Sequence, residues 1–210
     1  MNYNPEIHHR RSIRLKGYDY SKAGVYFITL CTKNRLCLFG EIAKGKMVLN
    51  EHGTIANSYL SEIPKQYPNV VLREHIIMPN HVHAIIIITH SPVETIHESS
   101  NISQQVQSVG MIHESSLQTT NNTNNRTIRE SSEPLPLRDQ RRKMLLSKIV
   151  GRYKMKTAKE INIIRHIEGV PLWQSRFHDH IIRNEKSYQT IADYIINNPK
   201  NWKEDKFYIA

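Results

Sequence analysis

The stretch Met78–Thr89, MPNHVHAIIIIT, most constrains what this chain can fold into, because an unbroken apolar run there carries two histidines. Residues i and i+2 of a β-strand point to the same face, so His81 and His83 lie together and Val82 points the other way. From Ala84 to Ile88 both faces are apolar, which predicts a central strand covered on both sides. Such a strand holds two imidazoles side by side on a rigid floor. Neutral imidazole binds divalent metals, so the pair is a candidate metal site. Two core histidines satisfied by hydrogen bonds are the other reading of the same spacing.

A chain of 210 residues is long enough for one domain with a substantial core. Its 29 Lys and Arg against 19 Asp and Glu give a formal charge of +10. That balance predicts a polyanionic partner, nucleic acid first and an anionic membrane surface second. The two cysteines, Cys31 and Cys37, come without a secretion signal and imply a reducing compartment. The N-terminal MNYNPEIHHRR has no apolar core of a signal peptide. Ala84–Ile88 is far too short to span a bilayer. A cytoplasmic, nucleoid-associated location without a membrane role is therefore expected.

Taken in order, residues 1–23 are polar and basic, and Arg10, Arg11, Arg14 and Lys16 form a candidate phosphate-contacting arm. Gly24–Thr32 (GVYFITLCT) reads as a strand, rich in β-branched and aromatic residues. Asn34–Gly40 reads as its turn and continuation, and Lys46–Leu49 as a short partner strand with Gly45 in the turn. Thr54–Gln66 predicts a helix with Thr54 as N-cap, ended by Pro64 and Pro68. Val70–Ile77 leads into the histidine strand.

Ser91–Glu133 has no Trp, Tyr or Phe and repeats itself as TIHESS, MIHESS and TIRESS, with Ile96, Ile112 and Ile128 at a constant spacing. So polar a segment buries too little apolar surface to offset its ordering entropy. It reads as a low-complexity, largely disordered surface loop inserted in one domain that otherwise spans 1–210.

Order is predicted to resume near Leu137. Arg138–Arg165 carries ten Lys and Arg against only Asp139 and Glu160. Leu146, Ile149, Val150, Tyr153 and Thr157 mark one face of a helix there. Arg141, Arg142, Lys143, Lys148, Arg152 and Lys156 make it a candidate DNA-backbone element. Trp173–Arg183 (WQSRFHDHIIR) reads as an extended segment in which aromatic and basic residues alternate, Arg176 among them, a mixture suited to single-stranded nucleic acid. His178 and His180 form a second His-x-His, not ranked as the first metal pair. Asn184 predicts the N-cap of a final helix through Asn198, stopped by Pro199. Tyr194 and Asn198, four apart, share a face near its end.

These segments together resemble the HUH single-tyrosine endonucleases, and among them the REP-associated tyrosine transposases. The resemblance rests on RRSIRLKGYDYS with GVYFITLCT, MPNHVHAI, LLSKIVGRYK, WQSRFHDHIIRNE and ADYIINNPKNW, in this order, and covers nearly all of the chain outside the loop. It implies an α+β, ferredoxin-like fold with a central antiparallel sheet and helices against one face. It implies Tyr194 as nucleophile and His81, His83 and Asn198 as ligands of Mg²⁺ or Mn²⁺; related transposases often have Gln at the third ligand. The implied reaction is attack on single-stranded or hairpin-flanked DNA, giving a 5′-phosphotyrosine and a free 3′-hydroxyl, by a monomer or homodimer. Two other readings stay open at this point. One is a catalytically inactive DNA-binding relative, and the other is a metal-dependent nuclease that uses water.

Overall fold

The computed structural model describes residues 20, 22–90 and 144–209. The loop at 91–133, the arm residues Arg10, Arg11, Arg14 and Lys16, and Arg141, Arg142 and Lys143 lie outside the described residues.

The histidine strand is β5, His81–Ile88, and every one of its eight residues is buried. Its neighbours are β4, Val70–Met78, and β1, Gly24–Cys31. β6, His178–Ile182, closes the sheet in the order β4-β5-β1-β6, and all three pairings are antiparallel. Lys46–Leu49 (β3) pairs with Gly40–Ala43 (β2) in a separate two-stranded sheet, not with a continuation of β1. The extended reading of Trp173–Arg183 narrows to β6 and an isolated bridge between Thr32 and Trp173.

The described residues form four α-helices, α1 (Glu51–Ser61), α2 (Ile63–Gln66), α3 (Leu145–Ile164) and α4 (Glu185–Asn197), and two short 3-10 turns, Lys33–Arg35 and Trp202–Glu204. α1 begins earlier than the sequence predicts, because Asn50 and not Thr54 is its N-cap. The Asn50 side chain accepts from Gly53 N at 2.9 Å, while the Thr54 hydroxyl bonds back to Asn50 O from inside the first turn. α4 keeps the expected cap, with Asn184 Oδ1 accepting from Ser187 N at 2.9 Å.

The alternation of β1 and β5 builds two cores. Tyr26, Ile28 and Leu30 of β1, with Val82, Ala84, Ile86 and Ile88 of β5, meet Leu146, Ile149, Val150 and Tyr153 of α3 and Ala56 and Leu60 of α1. Val25, Ile85 and Ile87 on the other face meet Tyr188, Ala192 and Ile195 of α4. Helices therefore cover both faces of the sheet, a correction to the one-sided packing that the resemblance implies. The reason is local: Ile85 and Ile87 would otherwise be exposed, and burying each isoleucine contributes roughly 1.5–3 kcal/mol. Trp173 is a core residue, and its Nε1 donates to Thr157 Oγ1 at 2.9 Å. That bond, with Lys154 Nζ donating to Gln174 O, ties the segment before β6 to α3.

Candidate active site

His81 and His83 project from the α4 face of β5, at the end where β1, the C-terminal turn of α4 and residues 202–207 converge. Both imidazoles are shut away from solvent, as is Asn198 at the end of α4. The two rings lie 4.4 Å apart between centroids. Trp202 and Phe207 pack over His81 at 5.8 and 4.6 Å. Phe27 flanks His83 at 5.2 Å and meets the Tyr194 ring edge-on at 6.3 Å.

Neighbouring side chains fix the protons. Asn80 Nδ2 donates to Phe207 O at 2.8 Å, which turns Asn80 Oδ1 towards His81 Nδ1, 2.9 Å away. An amide oxygen only accepts, so His81 carries its proton on Nδ1 and has a free lone pair on Nε2. His83 Nδ1 lies 2.9 Å from Thr29 Oγ1, across the β1–β5 pair. Burial lowers the His81 pKa to about 4; the Asp205 charge opposes this, while Lys206 and Arg35 add to it. Burial, then the neighbouring His81 and Lys206, holds His83 well below its usual value. Both are neutral imidazoles at neutral pH, the form that ligates metals.

Tyr194 is 38% exposed, the open member of an otherwise closed cluster. Its hydroxyl donates to Asp205 Oδ2 at 2.7 Å and lies 3.2 Å from His83 Nε2. Burial, with the bond to Asp205 and its negative charge, raises the phenol's pKa, so Tyr194 rests protonated. Asn198 Nδ2 donates to the same Asp205 oxygen at 2.6 Å, and Phe207 N donates to Oδ1 at 2.7 Å. Burial alone would raise Asp205, but the bonds from Phe207, Tyr194 and Asn198 outweigh it and hold the carboxyl below its usual range. Two polar atoms stay unpartnered and buried here: His81 Nε2 and Asn198 Oδ1. Ligating atoms of His81, His83 and Asp205 all lie within 4.8 Å of one another.

The structure thus brings Tyr194, His81, His83 and Asn198 together and adds Asp205, which the sequence reading missed. Asp205 sits in the polar run Lys203–Lys206 beyond Pro199, where nothing but the flanking Trp202 and Phe207 hints at burial. The remaining predicted cations do not join them. Lys148, Arg152 and Lys156 belong to α3, across the sheet from the histidines, and Lys156 Nζ lies 5.4 Å from the Tyr59 ring centroid. Arg176 is exposed just before β6. His178 and His180 are exposed on β6 and are not part of the histidine cluster.

No protein-family model matches the chain. A protein of Haemophilus influenzae (strain Rd), described as uncharacterized, is 36% identical over 207 residues, 99% of this chain and 97% of the relative. The chain belongs to that protein's family. Among solved structures, the chain is similar to a REP-associated tyrosine transposase bound to a REP hairpin. That likeness has 16% identity and a TM-score of 0.45, and covers 92% of this chain and 76% of that one. It is also similar to a candidate transposase of Deinococcus radiodurans R1, with 15% identity, 88% and 97% coverage and a TM-score of 0.41. No helix among the described residues is long and apolar enough to cross a membrane.

Proposed function

We propose that the chain is a transposase-like DNA strand transferase. Tyr194 attacks a phosphodiester of single-stranded or hairpin-flanked DNA, and His81, His83 and Asn198 hold a divalent ion, Mg²⁺ or Mn²⁺. One observation carries this reading. The Tyr194 phenol is hydrogen-bonded to a carboxylate and lies beside two buried atoms, His81 Nε2 and Asn198 Oδ1, that have no partner. Leaving a buried polar atom unsatisfied costs ~1–3 kcal/mol, so two in one cluster fit a ligand that would use both. Asp205 is already satisfied by Tyr194, Asn198 and Phe207, and it acts on the site through them. By taking the Asn198 NH₂ group it leaves the amide oxygen free to ligate. Imidazole donors favour Mn²⁺ and oxygen donors admit Mg²⁺.

The bound ion would polarise the phosphate and offset the charge that builds there. The rest belongs to the chain. Tyr194 Oη forms the new P–O bond and its proton passes to Asp205 Oδ2, 2.7 Å away. The bond to the 3′ oxygen breaks, and that oxygen takes a proton from solvent and leaves as a 3′-hydroxyl. The phosphotyrosine keeps the exchanged bond, so a second 3′-hydroxyl can reverse the step and join strands. Asp205 orients the phenol, and Thr29 accepts from His83 Nδ1 when Nε2 ligates. The basic arm and α3 bind DNA backbone or a hairpin stem, α3 doing so across the sheet from the cut.

The test is covalent capture. Labelled single-stranded hairpins are incubated with the protein and Mn²⁺ and run on a denaturing gel. The expected result is a shifted band that is lost in Tyr194→Phe and His81→Ala. Cleavage that persists in Tyr194→Phe without a shifted band would instead make water the nucleophile.

A further inference from the structure

The second His-x-His does not enter the cluster, yet the sheet places it beside the cluster. In the antiparallel β1–β6 pair, Phe27 stands opposite His180 and Thr29 opposite His178. Directly opposed residues share a face, so both histidines lie on the α4 side of the sheet with Thr29 and Phe27. Thr29 bonds His83, and the Phe27 ring touches both His83 and Tyr194. Both β6 histidines are exposed.

From there an open groove of about 530 Å³ runs along α4 towards its N-terminus. Phe27 and His180 line it from the sheet, and Lys186, Ser187 and Thr190 line it from the helix. Thr190 lies one helical turn before Tyr194, so the groove and the exposed phenol are continuous along one helix. Asn184 and Ile191 complete the lining, most of whose exposed area is apolar. It offers an aromatic ring and an imidazole for stacking, two hydroxyls for hydrogen bonds and one cation. Unpaired nucleotides ask for that combination, with base faces on rings and phosphate on a cation. The α3 cations lie across the sheet and are not in this groove.

We infer that the groove between β6 and α4 binds the unpaired DNA strand next to the phosphate that Tyr194 attacks, with a base against Phe27 and His180 and backbone phosphate at Lys186. This rests on the proposed function and adds the path of the strand to it. The occupant is a single strand because the groove flanks the nucleophile and its lining holds a cation, Lys186, and no acid.

The test compares two probes on the full chain by fluorescence anisotropy. One is a pool of hairpins with a short randomised single-stranded flank, and the other is the same hairpins with blunt ends. The wild type binds the flanked pool more tightly. In the double variant His180→Ala, Lys186→Ala that advantage falls about tenfold, while blunt-hairpin affinity stays unchanged, since both side chains are exposed. Equal loss on both probes, or no loss on either, would overturn the groove assignment. Covalent capture in the same samples separates the two claims. A Tyr194 adduct with an unaltered flank advantage removes the groove alone. A flank advantage that falls in the variant, with no adduct in the wild type, supports the groove as a single-strand site and removes the tyrosine chemistry. A wild type that shows neither adduct nor flank advantage removes both.

Discussion

Tyr194 and Asp205 are joined by a 2.7 Å hydrogen bond in which the phenol donates. The same carboxylate oxygen accepts from Asn198 Nδ2, so one acid sets both the nucleophile's proton and the direction of the amide oxygen. Asp205→Asn keeps the shape but removes the acceptor charge. Adduct formation should fall by roughly 10²–10⁴-fold, the usual range for a lost general base. Single-turnover capture measures this directly, and an adduct rate within a few-fold of wild type would remove Asp205 from the proton path.

Asn80 holds the His81 tautomer and touches no substrate in this account. Asn80→Ala should weaken Mn²⁺ binding by roughly 10–100-fold, as expected when a histidine ligand loses its orienting partner. Titration calorimetry with Mn²⁺ reads this without any DNA. Unchanged affinity would mean that His81 is oriented by its ring neighbours alone.

Acid should destabilise the metal-free protein. His81 titrates at about 4 in the folded chain, and at about 6.5 when unfolded. As pH falls the unfolded chain takes up the proton first. The stabilisation is therefore complete above pH ~6.5 and is lost down to about pH 4, at up to about 1.4 kcal/mol per pH unit for this imidazole. His83, also held low by burial, adds to the same loss. Urea unfolding in EDTA at a series of pH values checks the sign. Stability that stays flat between pH 7 and 5 would show that the imidazoles are not buried as neutral groups.

Two helical glycines should respond oppositely to alanine. A Cβ on Gly53 would sit 2.1 Å from Phe39 O and 2.9 Å from Leu49 Cδ2. Gly53→Ala should therefore cost stability despite its better helix propensity. A Cβ on Gly151 meets nothing within 4 Å, so Gly151→Ala should gain ~0.5–1 kcal/mol. Thermal melts of the pair give the two signs.

The histidine strand was legible because alternation and an apolar run fix both its neighbours and its covering layers. α4 was legible from Asn184 and Pro199, which act locally at its two ends. The α1 start was not, since Asn50 and Thr54 are both fair caps and only the coordinates show Asn50 accepting from Gly53 N while the Thr54 hydroxyl donates to Asn50 O. Packing on the second face followed from Ile85 and Ile87, although the resemblance implied one covered face. Asp205 was illegible for a different reason. It is half-buried because the chain turns back after Pro199, so that Trp202 and Phe207 reach Met78 and Cys31. No periodicity encodes that return. Spacing alone pairs His81 with His83 and Tyr194 with Asn198; the roles proposed for the four are those the family resemblance implies, and their hydrogen bonds required coordinates.

The central claim is that Tyr194 takes the 5′ phosphate. Mass spectrometry of the trapped adduct, made with DNA labelled on either side of the cut and digested to peptides, tests it most directly. The expected result is that the peptide containing Tyr194 carries a nucleotide through its 5′ phosphate, with the other fragment ending in a 3′-hydroxyl. A nucleotide on any other residue, or a Tyr194 linked through a 3′ phosphate, would contradict it.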